Sequence, residues 1–304
     1  MSSSGGSKAI VAALAANVGI AVSKFVAFAI TGSSSMLAEG VHSVVDSGNQ
    51  VLLLVGGRSA RRRATPEHPF GFGRDRYVYG FLVALMLFSA GGLFALYEGI
   101  EKIRHPHHLD DAFVAIIVLV LAIGLESFSL RTAVGESRHL KGTDSWFGFI
   151  RHAKNPELPV VLLEDVAALI GLFFALIGVG LTMLTDQPVW DGIGTCLIGA
   201  LLIAVAVVLI IETKSLLIGE SAAPAQLREI EAGLTGPGVE RIIHLRTMHL
   251  GPDELLVGAK LAMAPGASLR EVATAIDAAE QRVRDAVPSA RVIYLEPDLD
   301  RSAG

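Results

Sequence analysis

Residues 33–54 read SSSMLAEGVHSVVDSGNQVLLL and residues 159–184 read PVVLLEDVAALIGLFFALIGVGLTML, and the fold turns on how these two stretches are taken. Each is long enough to cross a bilayer as a helix, which takes roughly 20 mostly apolar residues. Each also carries ionisable side chains, His42 and Asp46 in the first, Glu164 and Asp165 in the second. An ionised group at membrane depth costs roughly 3 kcal/mol or more, so its default reading is a pathway or a coupling site. Side chains at i and i+4 share a helix face, so His42 and Asp46 can grip one ion together. Imidazole nitrogen with carboxylate oxygen suits zinc and its first-row neighbours better than calcium or magnesium. The plainer reading of His42 and Asp46 is a hydrogen bond holding two helices together. The second ionisable pair, Glu164 and Asp165, at matching depth in another span, favours the ion.

Composition agrees with membrane spans. The chain of 304 residues is 52% hydrophobic and has a mean hydropathy of +0.54, too apolar for an ordinary soluble domain. Six candidate spans run at 10–31, 34–54, 78–100, 113–130, 159–184 and 192–211. Beyond Glu212 the pattern turns to short mixed segments, which sets a transport domain at 1–213 apart from a cytosolic domain at 214–304. The first residues, MSSSGGSK, form a polar leader without a cleavage site. The single Cys196 rules out an intramolecular disulfide and a thiolate cluster, and is expected as a small core residue of the sixth span.

Charge asymmetry orients the spans. Arg58, Arg61, Arg62, Arg63, Arg74 and Arg76 lie between spans two and three, and Arg131, Arg138, Lys141, Arg151 and Lys154 between spans four and five. The loop between spans three and four has only Lys102 and Arg104. Positive charge stays inside, which places both termini in the cytoplasm of a multi-pass protein, expected in the cell membrane. Arg61-Arg62-Arg63 then reads as a topology signal or anionic-lipid contact, and nucleic acid is not an expected partner.

The tail predicts αββαβ. Leu227, Ile230 and Leu234 have helical spacing, and 240–250 and 254–263 alternate apolar with polar around a Gly251-Pro252-Asp253 turn. Ser268 and Glu271 make a capping box for a second helix that ends near Val287-Pro288, and 290–296 is a last strand. That order implies a small open sheet covered by helices on one face.

These segments together resemble the cation diffusion facilitator family of proton-coupled divalent-metal exporters, over nearly the whole length. The markers are Asn17 and Lys24, then Gly32-Ser33-Ser34-Ser35, Ala38-Glu39-Gly40 and His42-Ser43-Val44-Val45-Asp46. His68-Pro69-Phe70-Gly71-Phe72-Gly73-Arg74, Tyr97-Glu98-Gly99-Ile100-Glu101-Lys102-Ile103, Asp191-Gly192-Ile193-Gly194 and Leu216-Leu217-Ile218-Gly219-Glu220-Ser221 follow in order. The resemblance implies a homodimer and a tetrahedral transport site shared by spans two and five. His42 and Asp46 match its first pair and Asp165 its last ligand. The usual partner four residues earlier is Val161, so Glu164, Asn49 or water is left to complete the shell. Glu-Asp in span five resembles a branch assigned to zinc. Accessory sites look depleted: His68 and Glu67 remain, but a loop histidine of relatives is Phe72. Histidine positions of the tail hold Lys260 and Tyr294 beside Glu296, and His244 and His249 lack a constellation.

Other polar groups have structural readings. Lys24 and Glu39 are expected to pair with bundle charges, and Glu98 and Glu126 are end groups or proton relays. His105, His107 and His108 form a solvated loop or a metal-capture cluster, and Trp146 and Trp190 suit interfacial anchors. The resulting expectation is secondary active efflux of a divalent cation, zinc first and manganese, iron, cobalt or cadmium as alternatives, in exchange for protons. Metal ligands must lose protons to bind, and an unperturbed imidazole titrates near pH ~6.5, so a pH gradient can drive release. The other class is a non-transporting membrane metal sensor or scaffold. No prosthetic group, nucleotide-binding loop or enzyme constellation is expected.

Overall fold

The computed structural model describes residues 3–107, 109, 111–141 and 145–299, with side chains from residue 17 onward apart from 136, 139, 140 and 152. The chain divides into two compact units: Met1–Gly57 with Val78–Thr213, and Arg58–Tyr77 with Lys214–Gly304. The tail therefore shares its unit with the arginine-rich loop, a grouping that no periodicity in the sequence announces.

The first unit is helical. It is built from α1 (Ser3–Thr31), α2 (Ser34–Ser59), α3 (Asp75–Met86), α4 (Phe94–Arg104), α5 (Ala112–Lys141), a short α6 (Trp146–His152), α7 (Glu157–Thr185) and α8 (Val189–Ile218). A π-helical segment, Leu87–Leu93, joins α3 to α4, so Asp75–Arg104 is one continuous span. That span, Ala112–Gly135, Glu157–Thr185 and Val189–Ile218 are long and apolar enough to cross a membrane. α1 contributes an apolar Asn17–Thr31. α2 is long enough at 26 residues, but Glu39, His42, Asp46 and Arg58 lower its hydropathy. α2 thus gives one face to the polar groups that the sequence places in the second span.

Each helix separates an inner face from a lipid-compatible one. On α1, Ile20, Ala21, Lys24, Ala27 and Thr31 are buried while Val18, Val22, Val26 and Ile30 are exposed, a repeat of one turn. Close contacts are made where glycine removes a side chain. A Cβ on Gly99 would lie 2.6 Å from Cys196 Sγ, and one on Gly199 would lie 2.6 Å from the Leu96 amide nitrogen, so α4 and α8 meet nearly backbone to backbone. Cys196 is accordingly half-buried against Gly99 rather than enclosed in the core.

The second unit holds the tail. α9 (Pro224–Leu234), β1 (Val239–Gly251), β2 (Glu254–Met263), α10 (Leu269–Ala286) and β3 (Ala290–Asp298) follow the expected αββαβ order. The sheet order is β1-β2-β3, with β1 antiparallel and β3 parallel to the central β2. Leu255, Val257, Ala259 and Leu261 alternate into a core completed by Ile230, Leu234, Ala275 and Val283 from the two helices. Ser268 caps α10, accepting from the Glu271 amide, while Glu271 accepts from the Ser268 amide at 2.7 Å. The loop 58–77 packs on the β1–β2 hairpin: a Cβ on Gly73 would lie 2.8 Å from Leu250 O, and Arg74 Nη2 donates to Met248 Sδ at 3.2 Å.

Candidate metal site

α2 is held by its start. Gly32, at φ +63°, turns the chain out of α1, and Ser33 to Ser35 then converge on the buried Asp191 of α8. Ser33 Oγ donates to Asp191 Oδ1 at 2.8 Å, and the Ser34 amide and hydroxyl donate to Oδ2 at 2.8 and 3.0 Å. A carboxylate here satisfies otherwise orphaned helix N–H groups and meets the positive end of the dipole. The sequence marks Asp191 only as part of a motif; its partners lie more than 150 positions away.

Along α2, the buried polar groups Glu39, His42, Asn49 and the half-buried Asp46 recur every three or four residues and so share a face. Lys24 Nζ, 1% exposed, contacts Glu39 Oε2 at 2.9 Å and donates to Ser43 Oγ at 2.8 Å, the pairing expected of bundle charges. His42 Nδ1 lies 3.4 Å from Asp46 Oδ1 without hydrogen-bond geometry. One turn further, Asn49 Nδ2 donates to Glu164 Oε1 of α7 at 2.6 Å. Asp165, about 100° round the same helix, turns to α5 and accepts from Ser129 Oγ at 3.1 Å.

Much of this face is unsatisfied. Glu39 Oε1, both ring nitrogens of His42, Asp46 Oδ1, Asn49 Oδ1 and Gln50 Oε1 are buried without a hydrogen-bond partner. Each such atom costs about 1–3 kcal/mol. A line of electron-pair donors held at that cost is chemically suited to a cation. Among the described residues, no three His, Cys, Asp or Glu side chains already converge at coordination distance. The structure thus brings His42 to Asp46 and α2 to Glu164 through Asn49, while Asp165 stays on Ser129. Ser129 is the neighbour that sequence spacing could not supply, since it lies on α5 and reaches Asp165 only through tertiary packing.

The sequence profile of the cation efflux transmembrane domain matches residues 10–218. The chain belongs to the cation efflux, or cation diffusion facilitator, family. It is 34% identical over 224 residues to the proton-coupled zinc antiporter SLC30A9, mitochondrial, of Xenopus laevis, covering 73% of this chain and 40% of that protein. To the protein of the same name from Mus musculus it is 32% identical over 232 residues, with 75% and 41% covered. To metal tolerance protein C4 of Arabidopsis thaliana it is 26% identical over 257 residues, with 84% and 56% covered. The chain therefore spans 40% to 56% of the lengths of these relatives. A cation diffusion facilitator is a multi-pass membrane transporter and not an enzyme.

The accessory positions of this family member are engaged otherwise. Lys260 Nζ sits 2.9 Å from Asp298 Oδ2 and 3.0 Å from Glu296 Oε1, so an ammonium already occupies the tail's carboxylates. The hydrogen bonds to Asp298 and then Glu296 push the Lys260 amine above its ordinary range. In the loop, the His68 ring meets Phe72 edge-on at 4.6 Å, and the Arg62 guanidinium stacks over Phe72 at 4.2 Å. Glu67 is held below the usual carboxylate range by its own backbone amide and then by Thr65. His105 Nδ1 contacts Glu101 at 2.7 Å; His108 lies outside the described residues. Trp146 lies edge-on to Phe149 and carries the Lys141 ammonium 5.4 Å from its ring centre.

Proposed function

We propose that this chain exports a divalent metal cation, zinc, in exchange for protons. The observation that carries this reading is the α2 face on which His42 and Asp46 hold unpartnered donor atoms opposite Glu164. His42, Asp46 and Asp165 are the proposed ligands, with Glu164 the fourth or the group that orients them. Binding requires Asp165 to leave Ser129 and the two helices to present their carboxylates to one ion. The names of the vertebrate relatives, as proton-coupled zinc antiporters, support both the metal and the counter-ion.

Coupling follows from shared atoms. The imidazole nitrogen and carboxylate oxygens that bind metal also bind protons, so the two compete for one site. With the arginine-rich loops in the cytoplasm, metal binds from the near-neutral side and is displaced where protons are more abundant. The chain is proposed to act as a homodimer with both termini cytoplasmic.

The test is flux. Purified protein in liposomes with a pH gradient should accumulate zinc and move protons the opposite way. Asp46→Ala and Asp165→Ala should fall to the level of empty liposomes while retaining the parental melting profile. Zinc binding without flux in the parental protein would instead identify a sensor or scaffold.

A further inference from the structure

A second charged feature lies wholly within the unit formed by 58–77 and 214–304. It is a cavity of about 670 Å3 between the arginine-rich loop and the β1–β2 turn. Cavities that hold small molecules run roughly 300–1,000 Å3. Arg61, Arg62, Arg76 and Arg291 line it, against the carboxylates of Asp253 and Glu254. Four positive and two negative groups leave the lining cationic. Arg76 Nη1 meets Asp253 Oδ2 at 3.5 Å, and the Asp253 side chain is 78% exposed. Pairs of that kind contribute little and yield readily to a stronger anion.

The backbone shapes the wall. Gly71, at φ +75°, and Gly73, in contact with Leu250 O, bring the loop onto the hairpin without side chains between them. Arg62 is braced by its stacking on Phe72. Guanidinium groups presented on fixed supports suit the oxygens of a phosphate better than a single diffuse charge does. Connectivity supplies the surroundings: Arg61 and Arg62 directly follow α2, and Arg76 is in the first turn of a span apolar enough to cross the membrane. Arginines crowded at the ends of spans are the sequence form of anionic headgroup recognition.

We infer that this cavity binds a phosphate monoester, the group shared by an anionic lipid headgroup and a soluble phosphate ester. The test uses the full-length protein in neutral detergent, titrated with dioctanoyl phosphatidic acid, glycerol phosphate and dioctanoyl phosphatidylcholine. Phosphatidic acid should bind saturably and the choline lipid should not. An R61Q/R291Q variant should lose at least about tenfold in affinity, the worth of one charge-assisted contact. R58Q/R63Q removes the same charge outside the cavity lining and should change affinity by less than about threefold, under about half of that free energy. Comparable binding of glycerol phosphate identifies a soluble ligand, and binding of the lipid alone identifies the membrane; either supports the phosphate site. Equal losses in the two double variants, no loss in either, or equal binding of the choline lipid would overturn it.

Discussion

At the scale of the residue, the arrangement divides what spacing can reveal from what only packing creates. His42 and Asp46 are legible because an i, i+4 pair must share a face, and the structure holds them 3.4 Å apart. Asp165 is legible as an ionisable group at membrane depth, but its attachment to Ser129 depends on how α5 and α7 pack. Replacing Glu164 with Gln separates its two roles. Near-total loss of flux identifies a ligand, whereas a 10–100-fold loss of zinc affinity, typical of groups that orient ligands, identifies a supporting one. His42→Asp keeps a ligand with a lower ordinary titration range, so the pH optimum of zinc–proton exchange should move toward acid. An unmoved optimum would transfer the proton to another group, with Glu126 and Glu98 next in line.

At the scale of the element, helix positions follow from hydropathy, whereas the π segment at Leu87–Leu93 does not, since one residue of extra winding leaves no periodic mark. The glycine contacts of α4 and α8 are similarly silent in sequence, because a glycine in a helix does not say whether a neighbour needs its missing side chain. Gly99→Ala should cost about 1–3 kcal/mol, the penalty of overpacking. Gly124→Ala, with nothing within 4 Å of the added carbon, should be neutral or slightly stabilising. Thermal unfolding in one detergent compares the two directly. In the tail, Ser268→Ala should cost about 1 kcal/mol as a lost cap. Glu271 is held below its ordinary range by the Ser268 amide and then its hydroxyl. Its charge therefore stabilises the tail fully above the ordinary pH ~4.3, and that contribution disappears as pH falls through the lowered folded-state value. Pulse proteolysis of the full chain should show the gap between the parental protein and Glu271→Gln closing on acidification below that range.

At the scale of the whole molecule, the membrane class is written in hydropathy and the αββαβ tail in periodicity, and the arginine count proposes the orientation. Cysteines placed in the 58–76 and 131–154 loops should react with impermeant reagents only from the cytoplasmic face. Labelling from the opposite face would reverse the topology and, with it, the direction of transport. The membership of 58–77 in the tail's unit was not legible, because it rests on contacts such as Gly73 with Leu250 that join segments far apart in the chain.

The Asp191 clamp gives α2 one anchored end. Asp46 lies 12 residues beyond Ser34, roughly 18 Å along a helix rising 1.5 Å per residue. A tilt of about 10° pivoting on the clamp sweeps Asp46 through roughly 3 Å at that rise, the difference between a hydrogen bond and the next ligand over. His42, closer to the fulcrum, travels less. A helix anchored at one end is thus a lever graded along its length, and any tilt moves the Asp46 carboxylate further than the His42 imidazole.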